Sequence, residues 1–179
     1  DGDVVIGGTL DVTGDARVGS LNSGPLAGFR NLIINGELEV IQRASPGASF
    51  PAVGAGEYTI DRWAVNRSGA AQATIIHTGS SSGGTPNAEY GRSFHVDVTT
   101  ADTSVAAGDF FVVAQSIEGY NIRGIVEKTF TLSFWVKSPK AGTHCVSFAN
   151  GDNDRSYVAE YTVDSADTWE KKAITVDGG

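Results

Sequence analysis

The chain has 179 residues, enough for one ordinary domain plus an extension, and 40% of them are hydrophobic, so a core can form. Its formal charge of −8 and pI near 4.7 oppose a phosphate backbone, and its only adjacent basic pair is Lys171-Lys172, which argues against nucleic-acid binding. One cysteine, Cys145, rules out an intrachain disulfide or a cysteine zinc cluster, and no apolar run approaches the ~20 residues of a membrane-spanning helix. Cys145 itself is expected as a small buried hydrophobe. With no signal peptide at its start, the chain is expected to be made in a cytosol; beginning at Asp1, it reads as a piece of something longer.

Residues 1–20 alternate with period two. Val4, Ile6, Leu10, Val12, Ala16 and Val18 share one register with glycines; the other is nearly all polar, with Asp3, Thr9, Asp11, Thr13, Asp15 and Arg17 beside Val5 and Gly7. A strand this short cannot bury its own apolar face. Three copies around one axis would cover it, with Ile6, Leu10, Val12 and Val18 as the trimerising residues. The alternative is a strand that pads the downstream domain. Residues 21–30 contain Ser23-Gly-Pro25 and read as a linker.

From Asn31 onward the chain reads as strand, turn, strand. Strands are expected at 31–35, 38–43, 62–66, 72–78, 93–98, 110–116, 129–137, 143–149, 157–163 and 170–176, with one helical turn near 117–122. Gly, Pro, Asn and Asp clusters separate them, as at Ser45-Pro-Gly47, Pro139 to Gly142 and Asn150 to Asp154. Many short strands predict an all-β fold, a sandwich or barrel. The clearest alternation puts Phe130, Leu132, Phe134 and Val136 on a core face, with Thr131, Ser133, Trp135 and Lys137 opposite. Tyr157, Ala159, Tyr161 and Val163 form another such face.

Several motifs stand in order: Asn31-Leu-Ile-Ile-Asn-Gly36, Ile41-Gln-Arg43, Tyr58-Thr-Ile-Asp-Arg-Trp63, Gln115-Ser-Ile-Glu-Gly119, Leu132-Ser-Phe-Trp-Val-Lys-Ser138 and Thr168-Trp-Glu-Lys-Lys172. Together, from about residue 31 to 176, they resemble a jelly-roll domain of bacteriophage tail fibres and tailspikes. They are also similar to carbohydrate-binding modules of the galactose-binding-like type. The N-terminal segment resembles the stem repeats of such fibres. The resemblance implies a trimerising β-stem (1–20), a linker (21–30) and a jelly-roll β-sandwich (31–179) that further strands would complete. It implies a virion protein for host attachment, a homotrimer meeting other tail or baseplate proteins and cell-surface glycans, without membrane insertion. The alternative is a purely structural spacer or baseplate-docking segment.

Candidate site residues are few. Trp135, on the polar register of its strand, is a candidate sugar-stacking residue, or else an interface residue. Tyr157 is the second candidate ligand contact, with the core as its alternative. Trp63 reads as structural, with Asp61 and Arg62 pairing or capping a turn, and Trp169 as pinning a loop. Glu37 and Glu39 would lie about 7 Å apart on a regular strand, a geometry open to any such pair and no sign of a glycosidase. The resemblance places a structural Ca²⁺ ligand at Glu39, although Leu38 stands where the family has an aromatic. The Asn150 to Arg155 loop lacks the bidentate Glu of a calcium loop and reads as a hairpin turn. His77, His95 and His144 are scattered singly, and no nucleophile elbow, phosphate loop or dinucleotide fingerprint is present. No catalytic residue and no organic cofactor are expected, and a polysaccharide-degrading enzyme is the least favoured reading.

Overall fold

A computed structural model of the chain describes residues 31–43, 57–79, 84–86 and 90–177, together with residue 13 and the backbone of Ser49–Phe50. Ile6, Leu10, Val12 and Val18, the expected trimerising residues, lie outside the described residues, as does the expected linker. The chain divides into two units, Asp1–Asn31 and Leu32–Gly179, and all the described strands belong to the second.

That unit is nearly all β and antiparallel. Its strands are β1 (Ser49–Phe50), β2 (Glu57–Ile60), β3 (Trp63–Ser68), β4 (Gln72–Gly79), β5 (Arg92–Thr100), β6 (Phe110–Ala114), β7 (Phe130–Val136), β8 (Gly142–Ala149), β9 (Ser156–Val163) and β10 (Glu170–Val176), with one helical turn, α1 (Gly119–Ile122). Among the described residues these strands form four small sheets, ordered β1-β4-β5, β2-β3-β6, β7-β10 and β8-β9.

The sheets pack in pairs because each strand buries alternate residues. Val65 on β3 and Ile75 on β4 are fully buried, and Phe94 and Val96 of β5 and Phe111 of β6 pack against them, joining the two three-stranded sheets. Burying one such aliphatic side chain contributes about 1.5–3 kcal/mol. The second pair meets through aromatic edges. Phe130 of β7 meets Phe148 of β8 with ring centroids 5.3 Å apart, and Phe134 of β7 meets Tyr161 of β9 at 5.1 Å. The expected core face of β7 is therefore the inward one, and Ile174 and Val176 of β10 stand opposite Leu132 and Phe130 in register.

Three expectations are corrected. Residues 31–43 form no strand: a turn occupies 34–37, and Asn35 and Leu38 take left-handed backbone angles, φ 55° and 61°. The apolar run Leu32-Ile-Ile34 suggested a strand, but this segment's backbone groups bond to side chains instead of a ladder. Glu37 and Glu39 therefore share no strand register. Cys145 is exposed. In β8 the inward positions go to His144, Val146 and Phe148, so alternation puts Cys145 outside, opposite Glu160.

The β8–β9 hairpin ends as the sequence predicts. The Asn150 amide donates to Asp154 Oδ1 at 2.6 Å and its carbonyl accepts from the Arg155 N–H at 3.1 Å, while Asn153 takes φ 57°. This is a side-chain-closed turn.

Candidate functional site

Four of the ordered motifs, those at 31–36, 41–43, 58–63 and 115–119, converge in space. Asn35 is the hub: its Nδ2 donates to the carbonyls of Val40 (2.9 Å) and Asp61 (3.0 Å), and its Oδ1 accepts from the Val40 N–H (3.0 Å). Its backbone carbonyl accepts from the Trp63 indole Nε1 at 3.0 Å. The Asp61 carboxylate accepts from the Gln42 N–H at 2.6 Å. Gln115, 81 residues away, pairs its amide with both backbone groups of Ile34, each at 2.8 Å. Arg62 (φ 75°) reaches the Ser116 carbonyl at 2.9 Å and the Glu118 carboxylate at 2.6 Å. The Glu118 backbone N–H and then Arg62 hold that carboxyl below the usual carboxylate range. Buried His77 shares a hydrogen bond of 2.6 Å between its Nε2 and the Leu38 carbonyl. Since a carbonyl only accepts, Nε2 carries the proton, and Nδ1 is enclosed without a partner among the described residues.

These residues therefore hold a turn in place. Asn35, Asp61, Trp63 and Gln115 spend their side-chain polar groups on backbone groups in and around this turn, Arg62 ties the next segment to Ser116 and Glu118, and the reading of Trp63 as structural agrees with its bond to Asn35.

The candidate ligand residues are not brought together. Trp135 lies on the outward face of the β7–β10 sheet, in register with Lys171. It is half-buried, and its Nε1 is enclosed with no hydrogen-bond partner among the described residues. Tyr157 lies on the other sheet of that pair, opposite Phe148 on the inward register of β8–β9, and is half-exposed. The two rings thus belong to different faces of different sheets and form no common stacking platform.

Glu39 stands apart from both. Its carboxylate lies over Gly91, where any Cβ would collide with it. Calcium takes 6–8 oxygen ligands. Among the described residues no group of three His, Cys, Asp or Glu side chains is placed to hold a metal ion.

Two other polar constellations went unseen in the sequence. In the first, Lys172 Nζ lies 2.6 Å from Glu170 and 3.0 Å from Asp164. The Glu170 carboxylate also accepts from the N–H groups of Asp164 and Ser165, closing the β9–β10 loop. Lys172 first, then the two backbone N–H groups, hold the Glu170 carboxyl at about 2. Glu170 and then Asp164 push Lys172 up, so the lysine stays protonated and acts as a clamp. Beside it, Tyr161 stacks on His144 at 5.7 Å, and burial pushes its phenol up.

In the second, Asp102 and Asp109 meet at Gly69. A Cβ there would lie 2.8 Å from Asp109 Cγ and 2.9 Å from Asp102 Oδ2, and Gly69 has φ 96°, so only glycine fits. Asp102 accepts from the N–H groups of Ser104 (2.9 Å) and Ala70 (3.0 Å), and these bonds hold its carboxyl below the usual range. Asp109 accepts from the Ala106 N–H at 2.7 Å. Neither aspartate sits in a sequence motif; the glycine before a strand, with acidic loops following the next, was the one available signal.

In comparisons with models of protein families, with curated proteins and with solved structures, no family, no curated protein and no solved structure matches this chain.

Proposed function

We propose that this chain is a structural component of a phage tail fibre or tailspike, a trimerising β-stem followed by a jelly-roll sandwich, serving attachment to host-surface glycans. In this reading it is a virion protein, a homotrimer that binds and does not catalyse. The observation that carries the reading is the convergence of four of its ordered motifs. Asn35, Asp61-Arg-Trp63 and Gln115 to Glu118 lie far apart in sequence yet close one turn. This coupling supports reading those motifs as one structural unit. The antiparallel sheets packed in pairs support it further. Trimer geometry would multiply a weak sugar affinity by avidity.

A specific observation favours a second reading, a fibre spacer or docking segment. Trp135, the leading stacking candidate, is half-buried with its indole N–H enclosed, which suits a packing role better than an open platform.

Light scattering on the full chain tests the stem. A trimer that becomes a monomer when Leu10 and Val12 are both changed to Asp supports the fibre reading. A monomeric parent chain removes its physical basis.

A further inference from the structure

We infer that the pocket between the β3–β4 turn and the β5–β6 loop is a subsite for one neutral hexose, walled by Phe110 and Phe111 and bordered by the Asp102 and Asp109 carboxylates. The inference rests on the glycan-attachment reading above and gives it a place that the sequence did not.

The cavity has a volume of about 270 Å³. Drug-sized ligands occupy pockets of about 300–1,000 Å³, so this one suits a single sugar ring. Its walls come from two strands and a loop: Ser68 ends β3, Phe110 and Phe111 open β6, and Val105 stands in the loop between β5 and β6. Phe111 lines the cavity and also packs against the core. Phe110 is 50% exposed and Val105 72% exposed, so the apolar mouth is open. A pyranose presents C–H groups on one face and hydroxyls around its rim. An exposed aromatic ring matches the first, and fixed carboxylate oxygens match the second.

The carboxylates are pre-oriented acceptors. Backbone N–H groups of Ala70, Ser104 and Ala106 hold them. An ionised carboxylate has about four lone-pair sites, so each retains acceptor capacity for sugar hydroxyls. Acceptors fixed before binding lose little freedom on binding. Two negative charges at the rim, on a chain of net charge −8, repel acidic sugars. The predicted class is therefore a neutral hexose, with uronic and sialic acids rejected.

Ligand-observed NMR on the full chain, with galactose, glucose, mannose and glucuronate at up to about 10 mM, tests this. At least one neutral hexose should bind, and glucuronate should bind at least ~10-fold more weakly, a gap that narrows as salt rises. Phe110→Ala and Asp109→Asn should each weaken hexose binding by about 10-fold. Val105→Trp fills the mouth from an exposed loop position and should abolish binding even where Phe110→Ala fails to fold. Hexose binding unchanged in folded Val105→Trp and Asp109→Asn overturns the site while leaving glycan attachment standing. Glucuronate binding as well as the neutral sugars also overturns it. No hexose binding in the parent overturns the subsite, and extended glycans on an array then decide separately whether the attachment reading survives.

Discussion

Replacing Asn35 by Ala should be among the most damaging single changes at the opening turn. The side chain makes three hydrogen bonds, two at exposed positions with Val40 and one, part-buried, to the Asp61 carbonyl. Taking about 0.5 kcal/mol for each exposed bond and about 1 kcal/mol for the other gives roughly 2 kcal/mol. Alanine must also hold φ 55° without a side chain to compensate, which adds about 1 kcal/mol. The sum of about 3 kcal/mol is a large share of a typical stability of 5–15 kcal/mol. Asn35→Gly loses the same bonds but tolerates the angle, so it should cost about 2 kcal/mol, less than Ala. Urea unfolding followed by circular dichroism, at one protein concentration, reads both as shifts in midpoint at constant slope. Ala and Gly variants both within about 0.5 kcal/mol of the parent would refute the reasoning. So would a glycine variant less stable than the alanine one.

Three further outcomes depend on the same geometry. Glu170 is held at about 2 against an ordinary 4.5, so its contribution is complete above the ordinary value and drains away as pH falls toward about 2. Glu170→Gln should therefore flatten the loss of stability between pH ~5 and ~3, read from urea midpoints; an acid limb as steep as the parent's contradicts this. Trp63→Phe removes a bond to Asn35 and should cost at least about 1 kcal/mol more than Trp135→Phe, which deletes an N–H with no partner among the described residues; equal melting shifts would count against it. Exposed Cys145 should react fully with a thiol reagent in the native protein, whereas labelling only after denaturation would restore the buried reading.

The strands were readable because period two needs no tertiary information. Phe130 to Val136 alternates cleanly, and the inward face is the apolar one. The segment 31–43 was not readable. Its Leu-Ile-Ile run carries strand propensity, yet its backbone is claimed by Asn35, Asp61 and Gln115, the last of them 81 residues away. Propensity is local and those partners are not. Cys145 shows a similar limit, since residue type suggested burial while strand phase, set by His144 and Val146, decided the matter. Of the candidate site, Trp63's structural role was legible from its motif. The meeting of Asp102 and Asp109 at Gly69 was not, because two loops from different strands produce it. Trp135 and Tyr157 were placed on their strands correctly, but no pattern along one strand tells which sheet will face another.

The Gln115–Ile34 pairing also has a consequence for the order in which the protein is made. At roughly 5–20 residues per second, Gln115 follows Ile34 out of the ribosome by about 4–16 s. Through that interval Asn35 and Trp63 can meet, but the turn's far clamp does not yet exist. The opening segment is then an apolar stretch waiting for β6, and closing a loop this long comes late in folding. A nascent chain halted before residue 115 would carry Leu32-Ile-Ile34 without that clamp, and chaperone engagement at this segment should end once β6 has emerged.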